Sequence, residues 1–204
     1  MNSSANLRRC CTIALSAIVS SVLARGEESP SFRHDVLPIL SKRNCNSGGC
    51  HGALAGKGGF RLSLFGYDPE RDYYTITREL RGRRIELADP GRSLLLVKPT
   101  TSLAHRGGRR LTTGSEDYNT IAAWIAAGAP APRDDDPHLA SLEISPSSSL
   151  FGLGDTVRLA VTARYSDGRE RDVTAWAKFT ANDATVVDVD EGGEAKIIGC
   201  LLYT

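Results

Sequence analysis

Methionine is all but missing: among 204 residues there is one, Met1. An interior thioether is therefore not on offer to a metal. Cysteine is scarce as well, five in all, and only Cys45, Cys50 and Cys200 lie beyond residue 24. Three thiols, an odd number, fit a disulfide framework poorly. Long apolar runs are lacking too. The one candidate, residues 10–23, is short for a bilayer and weakly flanked on its far side, so an uncleaved anchor stands only as the alternative to an export signal. Charge of one sign is absent: the 25 Lys and Arg balance 24 Asp and Glu. Nothing in that balance asks for nucleic acid or an acidic membrane surface. There is neither a low-complexity segment nor an internal repeat, which removes solenoid architectures.

What is present begins with Arg8 and Arg9, followed by the apolar run and by Val22-Leu23-Ala24, small or aliphatic residues where a signal peptidase reads. Residues 1–24 are thus expected to be a secretory signal peptide. Cys10 and Cys11 precede the apolar core, which argues against a lipoprotein cleavage site. Loss of the two arginines takes the formal charge from +1 to −1. The mature chain is expected to begin near Arg25, in the periplasm or outside the cell.

Cys45-Asn-Ser-Gly-Gly-Cys50-His51 carries the densest chemical signal. Two thiols followed at once by an imidazole is the order of groups that holds a haem covalently, with thioethers at the vinyls and histidine as proximal ligand. The usual spacer is about two residues. Here it is four, with Gly48 and Gly49 supplying backbone freedom. Two other readings stay open on the motif alone. The cysteines could form a small disulfide, or serve as two ligands of a zinc site, for which the mature chain offers few further ligands.

Residues 31–43 read as a short amphipathic helix, with Ser31 as N-cap, an apolar face of Phe32, Val36, Leu37, Ile39 and Leu40, and Pro38 as a point of kinking. Thr113-Gly-Ser-Glu116 reads as a capping box before a helix lined by Tyr118, Ile121, Trp124 and Ile125 and ended by Gly128 and Pro130. Residues 67–84, with mixed charges, read as a surface helix. These two flanking helices would cross and close a crevice walled by Phe60, Leu62, Leu64, Leu94, Leu95 and Trp124.

Residues 32–132 resemble the planctomycete-type cytochrome c domain. The likeness rests on Phe-x-x-Asp-Val-x-Pro-Ile-Leu at 32–40, CxxxxCHG at 45–52, Gly-Gly-Phe-Arg-Leu-Ser-Leu-Phe-Gly-Tyr-Asp at 58–68, Asp-Pro-Gly-x-Ser-Leu-Leu at 89–95 and Trp-Ile-x-x-Gly-Ala-Pro at 124–130. The resemblance implies one covalent haem c, attached after export, held by Cys45 and Cys50 and ligated by His51. With methionine excluded, His105 is the candidate distal ligand and His34 the second, and two imidazoles imply a low-spin haem of lowered potential. Arg106, Arg109 and Arg110 beside His105 could pair with haem propionates or simply be a solvated face.

Beyond residues 133–138, a polar stretch read as a linker, the period changes from helical to alternating. Leu142 and Ile144, then Val157, Leu159, Val161 and Ala163, alternate, and Tyr165-Ser-Asp-Gly-Arg169 supplies a hairpin turn. Val173, Trp176 and Phe179 are expected to point inward next, then Val186, Val187 and Val189. The Tyr165 to Thr174 pattern resembles the bacterial group 2 immunoglobulin-like domain, here incomplete at its C-terminus, and the likeness implies further domains in a longer parent polypeptide. The expected fold is thus a mainly α cytochrome c-like domain over 30–132, joined to a truncated all-β Ig-like sandwich over 139–204. The expected function is one-electron transfer to a redox partner protein, not enzymatic turnover, with no integral membrane span after signal cleavage. The competing class is an extracellular binding or adhesion module with a Cys45–Cys50 disulfide and no haem.

Overall fold

The computed structural model of the chain describes residues 29–200. The expected signal peptide and the last four residues lie outside them.

Chain entry is a helical path from Phe32 to Lys42 in two parts, a π-helical turn Phe32–Val36 and then α1, Leu37–Lys42. Ser31 caps it, its hydroxyl accepting from the His34 amide at 3.3 Å while its own amide donates to Asp35 at 2.7 Å. The Leu37 amide reaches back to the Phe32 carbonyl, closing the wide first turn, and Pro38, which has no N–H to donate, follows at the start of α1. The path buries Phe32, Val36, Leu37, Ile39 and Leu40.

Next come α2 (Pro69–Thr77), α3 (Leu94–Val97) and α4 (Glu116–Ala126). The N-cap of α4 is Ser115, whose hydroxyl accepts from the Tyr118 amide at 3.3 Å. The expected capping box at Thr113 does not form, because the turn through Gly114 (φ +77°) places Ser115 at the helix entrance. The stretch 67–84 is less a surface helix than an amphipathic one, since α2 buries Asp72, Thr75, Ile76 and Thr77. The core of this first unit centres on Trp124, which packs on Phe32 at 5.4 Å and donates its indole N–H to the Pro130 carbonyl at 3.0 Å.

Six short strands follow among the described residues. β1 (Leu139–Ser145), β3 (Ala160–Tyr165) and β4 (Glu170–Asp172) form one antiparallel sheet in the order β1-β3-β4. β2 (Thr156–Arg158), β5 (Val187–Val189) and β6 (Glu194–Ile197) form another, in the order β2-β6-β5. The turn between β3 and β4 closes with Tyr165 N–H on the Arg169 carbonyl at 2.9 Å.

The architecture corrects the expected fold class. The described residues are 26% helical and 16% strand, with two small antiparallel sheets, so neither a mainly α cytochrome c-like domain nor an Ig-like sandwich is formed. Two physical reasons stand out. Long glycine-bearing loops occupy much of the first unit, and its longest helix has 11 residues. In the β-stranded part, β1 is exposed along its whole length, Leu142 and Ile144 included, and among the described residues there the buried apolar side chains are Val161, Ala163 and Ala195. A sandwich needs two apolar faces covering each other. Val173, Trp176 and Phe179 lie outside any strand and are half-buried.

The β-stranded part rests on the first helical path. Trp176 packs against the helical core, and the Arg171 guanidinium lies 4.3 Å from the Trp176 ring and 2.7 Å from Asp35. Lys42 donates to the carbonyls of Ala177 and Glu191, and His34 meets Tyr165 edge-on at 5.0 Å. In the 133–138 stretch, Arg133 pairs with Asp135 at 3.1 Å and Asp136 reaches Arg33 at 3.8 Å.

Candidate functional site

The loop after α1 folds into consecutive turns that absorb the long spacer between the cysteines. Asn44 adopts φ +57°, and the Cys45 amide still bonds the Leu40 carbonyl at 2.8 Å, so the first thiol leaves directly from the helix end. The Cys50 amide bonds the Ser47 carbonyl and the His51 amide bonds the Cys45 carbonyl, each at 2.9 Å. The second of these bonds brings the chain back on itself, so that the two cysteines and the histidine share one small surface. Asn46 is fully buried, its side-chain amide donating to Ser41 at 2.8 Å and its backbone carbonyl accepting from the Phe65 amide at 3.1 Å. Gly52 is required here: a Cβ would collide with the Asn46 carbonyl oxygen.

Both cysteines are half-buried free thiols. Burial, helped by the negative charge Cys50 would carry, pushes the Cys45 thiol up to about 11. It therefore stays protonated at neutral pH and is a poor nucleophile toward adventitious oxidants.

His51 is anchored on both sides. Its carbonyl accepts from the Leu62 amide at 2.8 Å, and its Nδ1 lies 3.0 Å from the Phe60 carbonyl, with the Phe60 ring 4.6 Å away. The Nδ1 contact, read as N–H donating to the carbonyl, leaves Nε2 with a free lone pair. Burial holds the imidazole below its ordinary pKa, with His105 adding to that direction and the bond to Phe60 opposing it, so the ring is neutral and competent as a ligand.

The other expected ligand arrives from a distant loop. His105 is half-buried, and its Nδ1 lies 2.8 Å from the Gly108 carbonyl, the same kind of backbone tether. Gly107 makes room for this fold-back, since a Cβ there would sit 2.9 Å from the His105 Cε1. The two imidazole rings stand 6.3 Å apart, centre to centre, and within 16° of parallel. That separation is too wide for face-to-face stacking. In distance alone it equals the span of two imidazoles on one metal, since metal–nitrogen bonds of roughly 2 Å place the ring centres about 6 Å apart. The residues present therefore fit a bis-histidine iron beside two thiols. Among the described residues, no group of three or more His, Cys, Asp and Glu side chains is arranged as a metal site.

The remaining sequence candidates separate. His34 lies against Tyr165, with its Nε2 buried and unpartnered, at the junction with the β-stranded part. Of the expected crevice wall, Phe60 touches His51, Leu62 is buried, and Leu64 is 50% exposed beside Gly48. Trp124 is sealed in the core at 0% exposure, against Phe32 and Tyr73. Arg106 and Arg109 are exposed, and Arg110 donates to the Gly107 carbonyl at 3.0 Å, steadying the His105 loop.

Two residues were not singled out from the sequence. Asp72 is fully buried and accepts from the Ser63 amide and hydroxyl at 2.5 and 2.7 Å, holding the segment that follows Leu62; burial pushes its carboxyl up. Arg84 is 5% exposed and lies 4.6 Å from the Phe60 ring. In the sequence both sit among like residues in a charged stretch, so no local signal marked them. A surface pocket of about 380 Å³, lined by Tyr73, Thr77, Ile85 and Leu87 among others, shares no residue with the 45–51 loop.

Among the described residues no helix is long and apolar enough to cross a membrane. No protein-family model matches the chain, and no curated protein matches it.

Proposed function

We propose that the protein is a c-type haem carrier that binds one covalent haem c and transfers single electrons outside the cytoplasmic membrane. Cys45 and Cys50 would hold the haem as thioethers, His51 would ligate the iron from the proximal side and His105 from the distal side. The observation that carries this reading is the His51–His105 pair: near-parallel rings 6.3 Å apart, each with Nδ1 on a backbone carbonyl. Such tethers fix ring orientation and raise ligand basicity. The likeness of five separated segments to the planctomycete-type cytochrome c domain supports the same reading independently of geometry. When bound, the haem supplies an Fe(III)/Fe(II) couple. The chain's own contribution is to keep the His51 imidazole neutral, to orient both imidazoles through their backbone tethers and to place apolar side chains such as Phe60 beside His51; with both histidines holding the iron, substrate chemistry at the metal would be disfavoured. Arg106 and Arg109 have exposed side chains free to meet propionates. The partner is a redox protein, and export through residues 1–24 would deliver the chain to the periplasm or cell surface.

The test is the full chain expressed in a host with haem-attachment machinery. A covalent increment of one haem in the intact mass, with a pyridine haemochrome spectrum on denatured protein, is the expected result. Protein at its bare polypeptide mass, with Cys45 joined to Cys50, would overturn the proposal in favour of a binding module.

A further inference from the structure

A buried arginine is costly unless its donors are met and its charge is offset. Arg84 meets the first condition with backbone oxygens. Its Nη1 donates to the Thr75 carbonyl at 2.6 Å and its Nη2 to the Gly59 carbonyl at 2.9 Å, while its own carbonyl accepts from the Leu95 amide at 3.0 Å. Its charge is offset only in part, by Glu79 at 3.3 Å, whose side chain is 41% exposed. The guanidinium thus ties the last turns of α2 to the small turn at residues 57–60, closed by a bridge between Lys57 and Phe60. That turn is the one that presents Phe60 to His51.

The contacts run in series. The Arg84 guanidinium lies 4.6 Å from the Phe60 ring, and the Phe60 ring lies 4.6 Å from the His51 imidazole. The Phe60 carbonyl takes the His51 Nδ1 at 3.0 Å. A lysine could supply the charge but not a flat fork that spans two carbonyls while covering a ring.

We propose that Arg84 is the positioning residue of His51: by clamping Phe60 it fixes the orientation and Nδ1 bond of the proximal imidazole, and as a nearby buried cation it sets the potential at the iron. This rests on the haem reading above. Arg84 acts on His51 through Phe60. A fixed positive charge in a poorly screened setting disfavours the oxidised, more positive metal.

The test compares Arg84→Met and Arg84→Lys in the haem-loaded full chain. Arg84→Met is expected to shift the one-electron equilibrium about tenfold toward Fe(III), equivalent to about 59 mV, and to alter the EPR g values that report imidazole orientation. Arg84→Lys should recover most of the potential and little of the g-value change. Were Arg84→Met unable to fold, Phe60→Leu keeps the carbonyl and removes the ring, and the same g-value change is expected with the charge intact. A residue that only braced the fold would lower the melting temperature and leave potential and g values unmoved, and that result overturns the proposal. If the wild-type chain carries no haem, the haem reading fails alone. Arg84 is then read by ¹⁵N NMR of His51 in the haem-free full chain, where wild type should show the Nδ1–H tautomer and Arg84→Met a mixture. Equal tautomer populations in the two chains would overturn it.

Discussion

The first unit, residues 32–132, and the β-stranded residues beyond it both carry patterned apolar side chains, helical in period in one and alternating in the other, but bury them very differently. In the first, Val36, Ile39, Ile76, Leu96, Ile121 and Trp124 are all at 0% exposure. In the second, Leu142, Leu150 and Leu153 stand at 58, 100 and 67%. Short helices entering from several directions can converge on one interior, whereas the two small sheets leave most of their apolar side chains, all of β1 included, in water. Stability therefore resides in the first unit, and the second leans on it through Trp176 and Arg171. The site lies on the unit that has a core, where backbone bonds such as His51 N–H to the Cys45 carbonyl can be held rigidly.

That contrast can be broken most sharply at the thiols. Replacing Cys45 and Cys50 by serine is expected to abolish the covalent haem increment in the intact mass completely, whereas Cys200→Ser should leave it unchanged. Next in size, Trp124→Ala should cost about 3–5 kcal/mol in denaturant unfolding, while Leu142→Ser on β1 should stay within about 0.5 kcal/mol. Comparable losses at the two sites would show that the β-stranded part has an interior of its own. Trp176→Ala tests the leaning contact. It should lower first-unit stability by about 1–2 kcal/mol through lost packing and the lost Arg171 contact, and an unchanged unfolding midpoint would mean the two parts are independent.

The smallest effect concerns His34 at the junction. Burial lowers its pKa, opposed by Asp136 and Asp35 and aided by Arg33 and Arg169. The unfolded chain, with histidine near 6.5, thus takes up its proton first as pH falls. Its contribution is fully present above that value and is lost as pH drops through it toward the lower folded value. The urea midpoint should accordingly decline as pH falls below about 6.5, and His34→Leu should flatten that decline. An equal slope in the variant would place the responsible group elsewhere.

Local chemistry was readable in advance. The apolar face of Phe32, Val36, Leu37, Ile39 and Leu40, the α4 stripe of Ile121, Trp124 and Ile125, and the hairpin turn at 165–169 follow from spacing that adjacent residues impose on one another. The Cys45, Cys50 and His51 cluster was legible for the same reason, being contiguous. What failed was the assembly of those pieces into known folds. Strand alternation states which side chains share a face, not whether another sheet arrives to cover it. The N-cap of α4 also moved from Thr113 to Ser115, a choice made by the turn at Gly114.

By itself, then, the sequence determined the order of thiol, thiol and imidazole, the absence of an interior methionine and the apolar stripes that nucleate the first unit. All of these are set by near neighbours along the chain. Only the tertiary structure decided that His105 stands 6.3 Å from His51, that Trp124 belongs to the core, and that Arg84 reaches Phe60 from beyond α2. Those depend on contacts between segments far apart in the chain, whose meeting is fixed by packing and by the need to satisfy buried polar groups, and no local pattern encodes either.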